Sequence, residues 1–389
     1  MKEATREPVS LLHDFVAQQH ANVFMKAFSF ASTQLPVTAE TEPDLADRMM
    51  LMEHMGFLFK LCEREPRVTS KAGDLEKWVA NHVARKGAKQ LQNTRDLLAG
   101  YEGLSIVNHF GHRVTVTSGD PDAFINLVIY RVPEKSRAFR APRFKRSRNG
   151  GFVHILRDAE YFEICAHFAT PAELTDYFTF RRDLLLDWDS ASAAVSEAAL
   201  IGQYLLEDYS SAPDQRFERA SHSFGGPLAC EFSFVLDSLA AQIATQESEY
   251  GDTDCYEILA ELALLGRHEL RALKHQLRRA LDAVRADRFE LPYRIASTRT
   301  GCGFVVVPVT KDFRDRGHDA LRSLTRAAKH ELALDRQVGI GMWKDTEFID
   351  IHWIFIEGEN APDPELDQRL THNYPFRTAS EQRLAPVFT

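Results

Sequence analysis

The spacing of apolar residues along the chain predicts an alternation of helices and strands. Apolar positions recur at helical intervals over residues 11–30 and again over residues 74–99, where Gly100 follows as a stop signal. Shorter apolar runs, bounded by turn-forming residues, are typical of strands. We predict strands at residues 48–52, 57–62, 104–107, 114–117, 124–132, 152–156, 304–309, 338–342 and 348–356.

The order of these elements predicts the domain organisation. Helical spacing dominates residues 171–286, with one long helix over residues 255–284, and the chain then reads strand, helix, strand, strand. A length of 389 residues is enough for two or three domains. We therefore expect an α+β (mixed α/β) protein with an α/β core and N-terminal helix over residues 1–190, a helical middle region over residues 191–286, and a small C-terminal α/β module over residues 287–389.

Composition narrows the class of protein. Apolar residues make up 44% and charged residues 26% of the chain, which excludes a disordered or fibrous protein. The formal net charge of −9 argues against a protein that coats nucleic acid through bulk positive charge. Because no apolar run approaches the roughly 18 residues of a membrane span, we expect no membrane partner. The five cysteines are scattered without a CxxC pair, which indicates reduced thiols, a cytoplasmic location and no structural zinc site.

The first two predicted strands form an antiparallel hairpin that carries a cluster of reactive side chains. If residues 53–56 connect the strands, residue 52 lies opposite residue 57, and Asp47 lies opposite Cys62. Side chains alternate between the two faces of a strand, so Asp47, Lys60 and Cys62 share one face. An acid, an amine and a thiol on a buried sheet cost free energy unless they are paired or functional.

The helix after this hairpin adds two polar candidates. Lys86 and Gln90 are four residues apart within its apolar stripe, so both are expected to point toward the sheet. Gly87 and Ala88 between them would allow the helix to pack closely. In one interpretation these side chains contribute to a site. In the other, Lys86 extends along the surface to water and Gln90 hydrogen-bonds the sheet edge.

Several of these motifs occur together in a known superfamily. Asp47 begins a strand, a turn follows, and the next strand reads Phe59-Lys60-Leu61-Cys62-Glu63-Arg64-Glu65. The next helix carries Trp78 and then Lys86-Gly87-Ala88-Lys89-Gln90-Leu91. This arrangement resembles the PD-(D/E)xK, or restriction-endonuclease-like, superfamily, where (E/Q)-x-K follows the acid and a helix with Lys or Gln covers the sheet. The resemblance extends over about residues 40–185 and includes Gly151-Phe152-Val153-His154-Ile155 and Thr170-Pro171-Ala172-Glu173-Leu174-Thr175-Asp176-Tyr177, which are similar to segments of uncharacterised bacterial members.

The resemblance implies a function on nucleic acid. In that superfamily, carboxylates hold Mg²⁺ against the scissile phosphate, and a lysine orients the attacking water. It therefore implies a nucleic-acid-acting protein, in one interpretation a Mg²⁺-dependent DNA endonuclease of bacterial defence or DNA maintenance. Asp47 would be the metal ligand, Lys60 and Lys86 would contact the scissile phosphate, and Gln90 would keep the catalytic site in shape.

Departures from the superfamily pattern support a second interpretation. Lys60 occupies the position of the second metal-binding acid or amide, and Cys62 occupies the position of the lysine. A cation repels Mg²⁺, and a thiol is a poor ligand for so hard an ion. Glu63 cannot substitute in a regular strand because it points to the opposite face. The alternative is a catalytically inactive nuclease-fold module for binding or sensing, acting with a partner protein or as a homodimer. A third hypothesis makes Cys62 a reactive thiol.

A basic segment is the clearest candidate for nucleic-acid contact. After Glu134, residues 135–148 contain no acid and are interleaved with Phe139 and Phe144. Such a segment can bind phosphates and stack on bases, or it can be solvated or docked on another domain. The predicted nucleic-acid-binding residues are Lys135, Arg137, Arg140, Arg143, Lys145, Arg146 and Arg148.

Two pairs of glycines in the C-terminal part could suggest a nucleotide-binding loop. Gly301 with Gly303, and Gly339 with Gly341, lack the strand–loop–helix context that such a loop needs. We therefore predict turns or close-packing positions there.

Overall fold

The chain folds into two compact units, Met1–Ala229 and Cys230–Thr389. A computed structural model describes residues 11–19, 23–31, 35, 45–52, 55–64, 73–100, 103–108, 113–116, 123–133, 141–147, 151–188, 195–223, 239, 255–297, 299–345 and 348–377. This division differs from the three parts expected from the sequence. The helices just after residue 190 belong to the first unit, and those from residue 255 onward belong to the second.

The first unit contains a six-stranded mixed sheet and a separate hairpin. Its N-terminal and sheet elements are α1 (Leu11–Gln19), α2 (Val23–Phe28), β1 (Ser29–Ala31), β2 (Arg48–Met52), β3 (Met55–Glu63), β4 (Leu104–Val107), β5 (Arg113–Val116), β6 (Ala123–Arg131), β7 (Phe144–Ser147) and β8 (Gly151–Arg157). The strand order is β1-β2-β3-β6-β8-β7, with β3, β6 and β8 parallel and the other pairs antiparallel. Strands β4 and β5 form the hairpin. The single helix predicted over residues 11–30 is wrong in extent, because two helices and an edge strand occupy it.

One helix of this unit crosses the sheet face that carries Asp47 and Lys60. It comprises α3 (Asp74–Trp78), a π-helical segment (Val79–Lys86) and α4 (Gly87–Ala99), and its predicted extent is confirmed. Its apolar side packs with residues such as Leu58 and Val128 in one core. A Cβ atom on Gly87 would lie 3.0 Å from Val128 Cγ2, so the glycine permits this close approach.

Further helices cover the opposite face of the sheet. They are α5 (Asp158–His167), α6 (Pro171–Asp187), α7 (Glu197–Leu205), a 3₁₀ turn (Gln215–Phe217) and α8 (Glu218–Ser223). The sequence Thr-Pro-Ala-Glu starts α6, because Thr170 Oγ1 accepts a hydrogen bond from Glu173 N and Pro171 fits the first turn. Phe57 of β3 contacts Phe178 of α6 edge to face, so this sheet is buried on both sides.

The second unit contains a four-stranded sheet between helices. Its elements are α9 (Cys255–Ala263), α10 (Arg267–Arg285), β9 (Tyr293–Ala296), β10 (Cys302–Val309), a 3₁₀ segment (Lys311–Arg316), α11 (Gly317–Glu331), β11 (Arg336–Asp345), β12 (Phe348–Glu357) and α12 (Pro364–His372). The order is β12-β11-β10-β9, and only β10 and β11 are parallel. The long helix predicted over residues 255–284 is two helices, because Gly266 is extended and Glu269 accepts its N–H at 2.9 Å.

Helix α11 packs directly on glycines of this sheet. A Cβ atom on Gly339 would lie 2.1 Å from Thr325 Oγ1, and one on Gly341 would lie 2.9 Å from a Leu321 methyl group. Gly301 has a φ of +69°, which suits a turn. The interpretation of these glycines as turns or close-packing positions is confirmed. The expected α+β class is confirmed as well.

No helix among the described residues is both long enough and apolar enough to cross a membrane.

Candidate functional site

The acid–amine pair of the first hairpin is present, but its register differs from the expected one. Met52 pairs with Met55, whereas the sequence suggested a partner at residue 57. Residues 55 and 56 belong to β3, so the connection is two residues shorter than expected. A shift of two preserves the face of every side chain, and Asp47 therefore stays beside Lys60.

Both carboxylate oxygens of Asp47 have hydrogen-bond donors. Lys60 Nζ lies 3.0 Å from Asp47 Oδ1, and the backbone N–H of Leu61 donates to Oδ2 at 2.6 Å. The Asp47 N–H donates to Phe59 O at 2.8 Å and so extends the pairing of β2 with β3. The Asp47 and Lys60 side chains are only 18% and 16% exposed. Asp47 is thus the ion-pair partner of Lys60 and also binds the backbone of β3.

Cys62 lies next to this pair but is not an activated thiol. Burial raises its pKa to about 11, Asp47 adds to the rise, and Lys60 and Lys86 oppose it. Its Sγ donates a weak hydrogen bond to His82 O at 3.9 Å. A thiol with this pKa stays protonated at neutral pH, which argues against the reactive-thiol hypothesis.

The covering helix brings Lys86 and Gln90 to this face in different ways. Lys86 is exposed, which corrects the expectation that it points inward, although its charge still acts on Cys62. Gln90 is 4% exposed, and its backbone oxygen accepts a hydrogen bond from Thr94 Oγ1 at 3.0 Å. Thr94 Oγ1 also accepts from Ala46 N at 2.8 Å, which ties the helix to the residue before Asp47.

These side chains do not fit Mg²⁺. A magnesium ion needs several oxygen ligands, and here one carboxylate is paired with the Lys60 ammonium group and lies near a protonated thiol. Glu63 lies on the other face, as expected, where its Oε2 accepts the N–H of Leu12 at 3.1 Å. Within the described residues, no three His, Cys, Asp or Glu side chains are grouped to hold a metal ion.

The predicted basic segment divides into two environments. The Arg143 guanidinium is 13% exposed, forms an ion pair with Glu197 and donates to Val195 O at 3.0 Å. It is therefore part of the interior and is not available as a phosphate ligand. Lys145 and Arg146 lie on edge strand β7, half-buried and exposed respectively. Lys135, Arg137, Arg140 and Arg148 lie outside the described residues.

The partner of Arg143 belongs to a buried ionic network that the sequence reasoning missed. Glu197 accepts from Arg181 Nε at 2.7 Å and Nη2 at 3.1 Å, and from the Tyr177 hydroxyl at 2.5 Å. Burial alone would raise the pKa of Glu197, but the Arg181 and Arg143 charges and these hydrogen bonds lower it to about 2. The sequence offered one signal for this network. Glu197 directly precedes the apolar run Ala-Ala-Leu-Ile, and an acid buried with such a run needs a partner.

His154 of β8 completes this network. Arg181 Nη1 donates to His154 Nδ1 at 3.0 Å. Burial, and then the charge of Arg181, lowers the pKa of His154 well below its usual range, so the imidazole is neutral at pH 7. The network fixes α6 and α7 against β8 and is shielded from solvent, since Arg181 and Glu197 are both buried.

A stripe of basic side chains on the covering helix was also missed. His82, Arg85, Lys86 and Lys89 are all exposed, and no acidic residue occurs between residues 77 and 95. Their spacing of three and four residues is the signal that identifies one helix face. The first unit therefore has a local positive surface within a chain of negative net charge.

Comparisons with protein-family models, with curated proteins and with solved structures found no match to this chain.

Proposed function

We propose that the first unit is a restriction-endonuclease-like module that binds nucleic acid without cleaving it. An acid, an antiparallel strand pair with Lys-x-Cys on the second strand, and a covering helix on the same sheet face follow one another in this order, which supports the resemblance. The observation that carries the proposal is the ion pair between Lys60 and Asp47. An ammonium group occupies the position that corresponds, in the resemblance, to the metal ion of an active nuclease.

The chemistry around Asp47 favours binding over hydrolysis. Hydrolysis of a phosphodiester in such a site requires bound metal to activate water and to offset developing charge. Lys60 satisfies the carboxylate that would hold the metal, and Cys62 does not supply the lysine of the superfamily pattern. In this role the module would serve a partner protein or a second copy, in bacterial defence or DNA maintenance, as the resemblance implies.

The proposed binding surface is the exposed side of the covering helix. Arg85, Lys86 and Lys89 can approach backbone phosphates there. Arg95 of the same helix lies 3.6 Å from the position of a Gly151 Cβ atom, beside the end of β7. The helix surface and β7, with Arg146, are thus neighbouring parts of one unit.

The proposal is tested by measuring cleavage and binding together. The full chain is incubated with labelled duplex and single-stranded DNA in Mg²⁺ or Mn²⁺, and DNA binding is measured over a range of salt concentrations. We expect binding without cleavage. The variant Arg85→Ala/Lys86→Ala/Lys89→Ala should bind more weakly, and its salt slope should fall by about 2–3.

A matched variant removes the same charge elsewhere in the first unit. Arg182, Arg216 and Arg219 are exposed, and their replacement by alanine should leave the salt slope unchanged. Metal-dependent cleavage that is lost in Asp47→Ala would overturn the non-hydrolytic role. Equal binding by the two triple variants would remove the helix from the interface.

The role of Lys60 has its own test. Lys60→Glu combined with Cys62→Lys creates Glu-x-Lys beside Asp47, and we expect measurable Mn²⁺ binding by calorimetry. Adding Asp47→Asn should abolish this gain. If the wild type already binds Mn²⁺ as tightly as the double variant, Lys60 does not replace the metal.

A further inference from the structure

Helix α10 of the second unit has a basic face that is interrupted by one acid. It contains six Lys or Arg residues, two histidines and two acids. His268, Arg271, His275, Arg278 and Arg285 are exposed at intervals of three and four residues, with Asp282 at the one remaining position of the row. Because an α-helix rises 1.5 Å per residue, this α10 stripe extends for about 26 Å.

The other face of α10 fixes the helix to its unit. Leu270, Leu273, Leu277, Leu281 and Val284 are all buried. The stripe is therefore carried by an immobilised backbone, so binding would not require helix formation. A helix that binds a membrane surface inserts its apolar face into the lipid, whereas this apolar face is already used inside the protein.

Two neighbouring acids form contacts within the unit. Glu269 Oε2 accepts the Gly266 N–H at 2.9 Å, and its Oε1 accepts from Ser297 Oγ at 2.6 Å. Glu261 of α9 is buried and pairs with Arg336 at 2.6 Å. Asp282 lies within the row, and among the described residues neither Arg271 nor Arg285 has an ion-pair partner.

We propose that the α10 stripe binds the phosphate backbone of nucleic acid. At the helical rise, the side chains from His268 to Arg278 follow one another about every 4.5–6 Å, and Arg285 lies about 10.5 Å beyond Arg278 on the same line. Such a row suits a polymer with repeated negative charge. Arginine provides a planar donor pair that matches phosphate oxygens, and three of the five residues are arginines. A row of backbone contacts positions a strand without reading its sequence. This inference goes beyond the proposed function because it assigns an interface to the second unit and does not depend on the first.

Salt dependence provides the quantitative test. Binding of the full chain to a duplex of about 30 base pairs is compared with that of Arg271→Ala/Arg278→Ala/Arg285→Ala between about 50 and 200 mM salt. Loss of three phosphate contacts should lower the salt slope by about 2.7, so the wild type should lose about 40-fold more affinity over this range than the variant. Two duplexes of unrelated sequence should give the same result.

A control on the other side of the same sheet keeps net charge equal. Arg314, Arg322 and Arg326 are exposed on α11 and the segment before it. Helix α10 lies on the opposite face of the sheet, where its Arg279 packs over Tyr293. Replacing Arg314, Arg322 and Arg326 by alanine should leave the slope unchanged. A wild-type slope in the α10 variant, or equal slopes in both variants, overturns the proposal.

Two further measurements distinguish the α10 stripe from the first unit and phosphate from carboxylate. The α10 variant and the first-unit variant are measured separately, so either surface can fail while the other stands. Poly-L-glutamate is added as a competitor at equal charge concentration, and we expect it to displace the duplex poorly. Equal displacement would identify the stripe as a docking site for acidic proteins and would overturn the assignment to phosphate.

Discussion

Replacement of Glu197 by glutamine should be among the most destabilising single changes in the first unit. Glu197 is buried, and its carboxylate is the counter-charge of both Arg181 and Arg143. Glutamine retains the size of the side chain but removes the charge. Two guanidinium groups would then remain in the interior without their shared counter-charge. Removing one member of a buried ion pair typically costs about 3–5 kcal/mol.

The lowered pKa of Glu197 gives a second estimate of this loss of stability. It falls from 4.5 to about 2 in the folded state, and each pKa unit corresponds to about 1.4 kcal/mol, so the charged form contributes roughly 3 kcal/mol. For a carboxylate with a lowered pKa, this stability is present above pH 4.5 and is lost as the pH falls toward 2. The difference in stability between the wild type and Glu197→Gln should therefore shrink as the pH falls from about 4.5 to about 3.

Calorimetric unfolding measures this effect. A loss of about 3–5 kcal/mol corresponds to a decrease in Tm of roughly 6–20 °C for a unit of this size. Asp183→Asn on α6 is the matched control, because its ion pair with Arg182 is exposed and should contribute less than about 1 kcal/mol. If Glu197→Gln costs no more than Asp183→Asn, the network does not stabilise the unit.

Three further experiments test other parts of the structure. Gly339→Ala should lower the free energy of unfolding in urea by about 1–3 kcal/mol, because its Cβ would overlap Thr325 Oγ1. Gly100→Ala should cost much less, since its Cβ would lie 3.4 Å from the nearest atom. Similar costs would contradict the close packing of α11. Burial and His318 lower the pKa of His352 to about 4, so the unfolded state takes up a proton at a higher pH than the folded state does. The second unit should therefore lose about 1–2 kcal/mol of unfolding free energy as the pH falls from 6.5 to 4, and less in His352→Asn. A pH profile that is unchanged in that variant would refute the linkage. Cys62 has a pKa of about 11 and should react with iodoacetamide at neutral pH at least about 100-fold more slowly in the folded chain than in urea. Peptide-resolved mass spectrometry measures both rates, and equal rates would contradict its burial.

The hairpin illustrates how much of the candidate site the sequence could predict. Alternation along the strands placed Asp47, Lys60 and Cys62 on one face, and the two-residue error in register did not change this. The length of the connection was not predictable, because residues 55 and 56 can belong to a turn or to a strand. The direct contact between Asp47 and Lys60 follows from the actual register, in which Arg48 lies opposite Phe59.

Helix boundaries show a similar division. The helix over residues 74–99 was predictable from its apolar stripe and from Gly100. The break at Gly266 was not, because Leu264 and Leu265 continue the apolar pattern while the backbone turns and Glu269 begins a new helix. Hydrophobic periodicity predicts which side of an element is buried more reliably than it predicts where the element ends.

The sequence by itself determined the α+β class, the faces of the strands and the close-packing glycines. Each of these depends on a period of about 2 or 3.6 residues or on local backbone freedom, and both are properties of neighbouring residues. Only the tertiary structure gave different environments to Arg143 and Arg146, which are close together in one basic segment. Helix α7 brings Glu197, 54 residues further along the chain, to Arg143, while Arg146 remains exposed on an edge strand. Whether a charge is paired in the interior or available to a ligand depends on residues that are distant in the chain, and no local pattern contains that information.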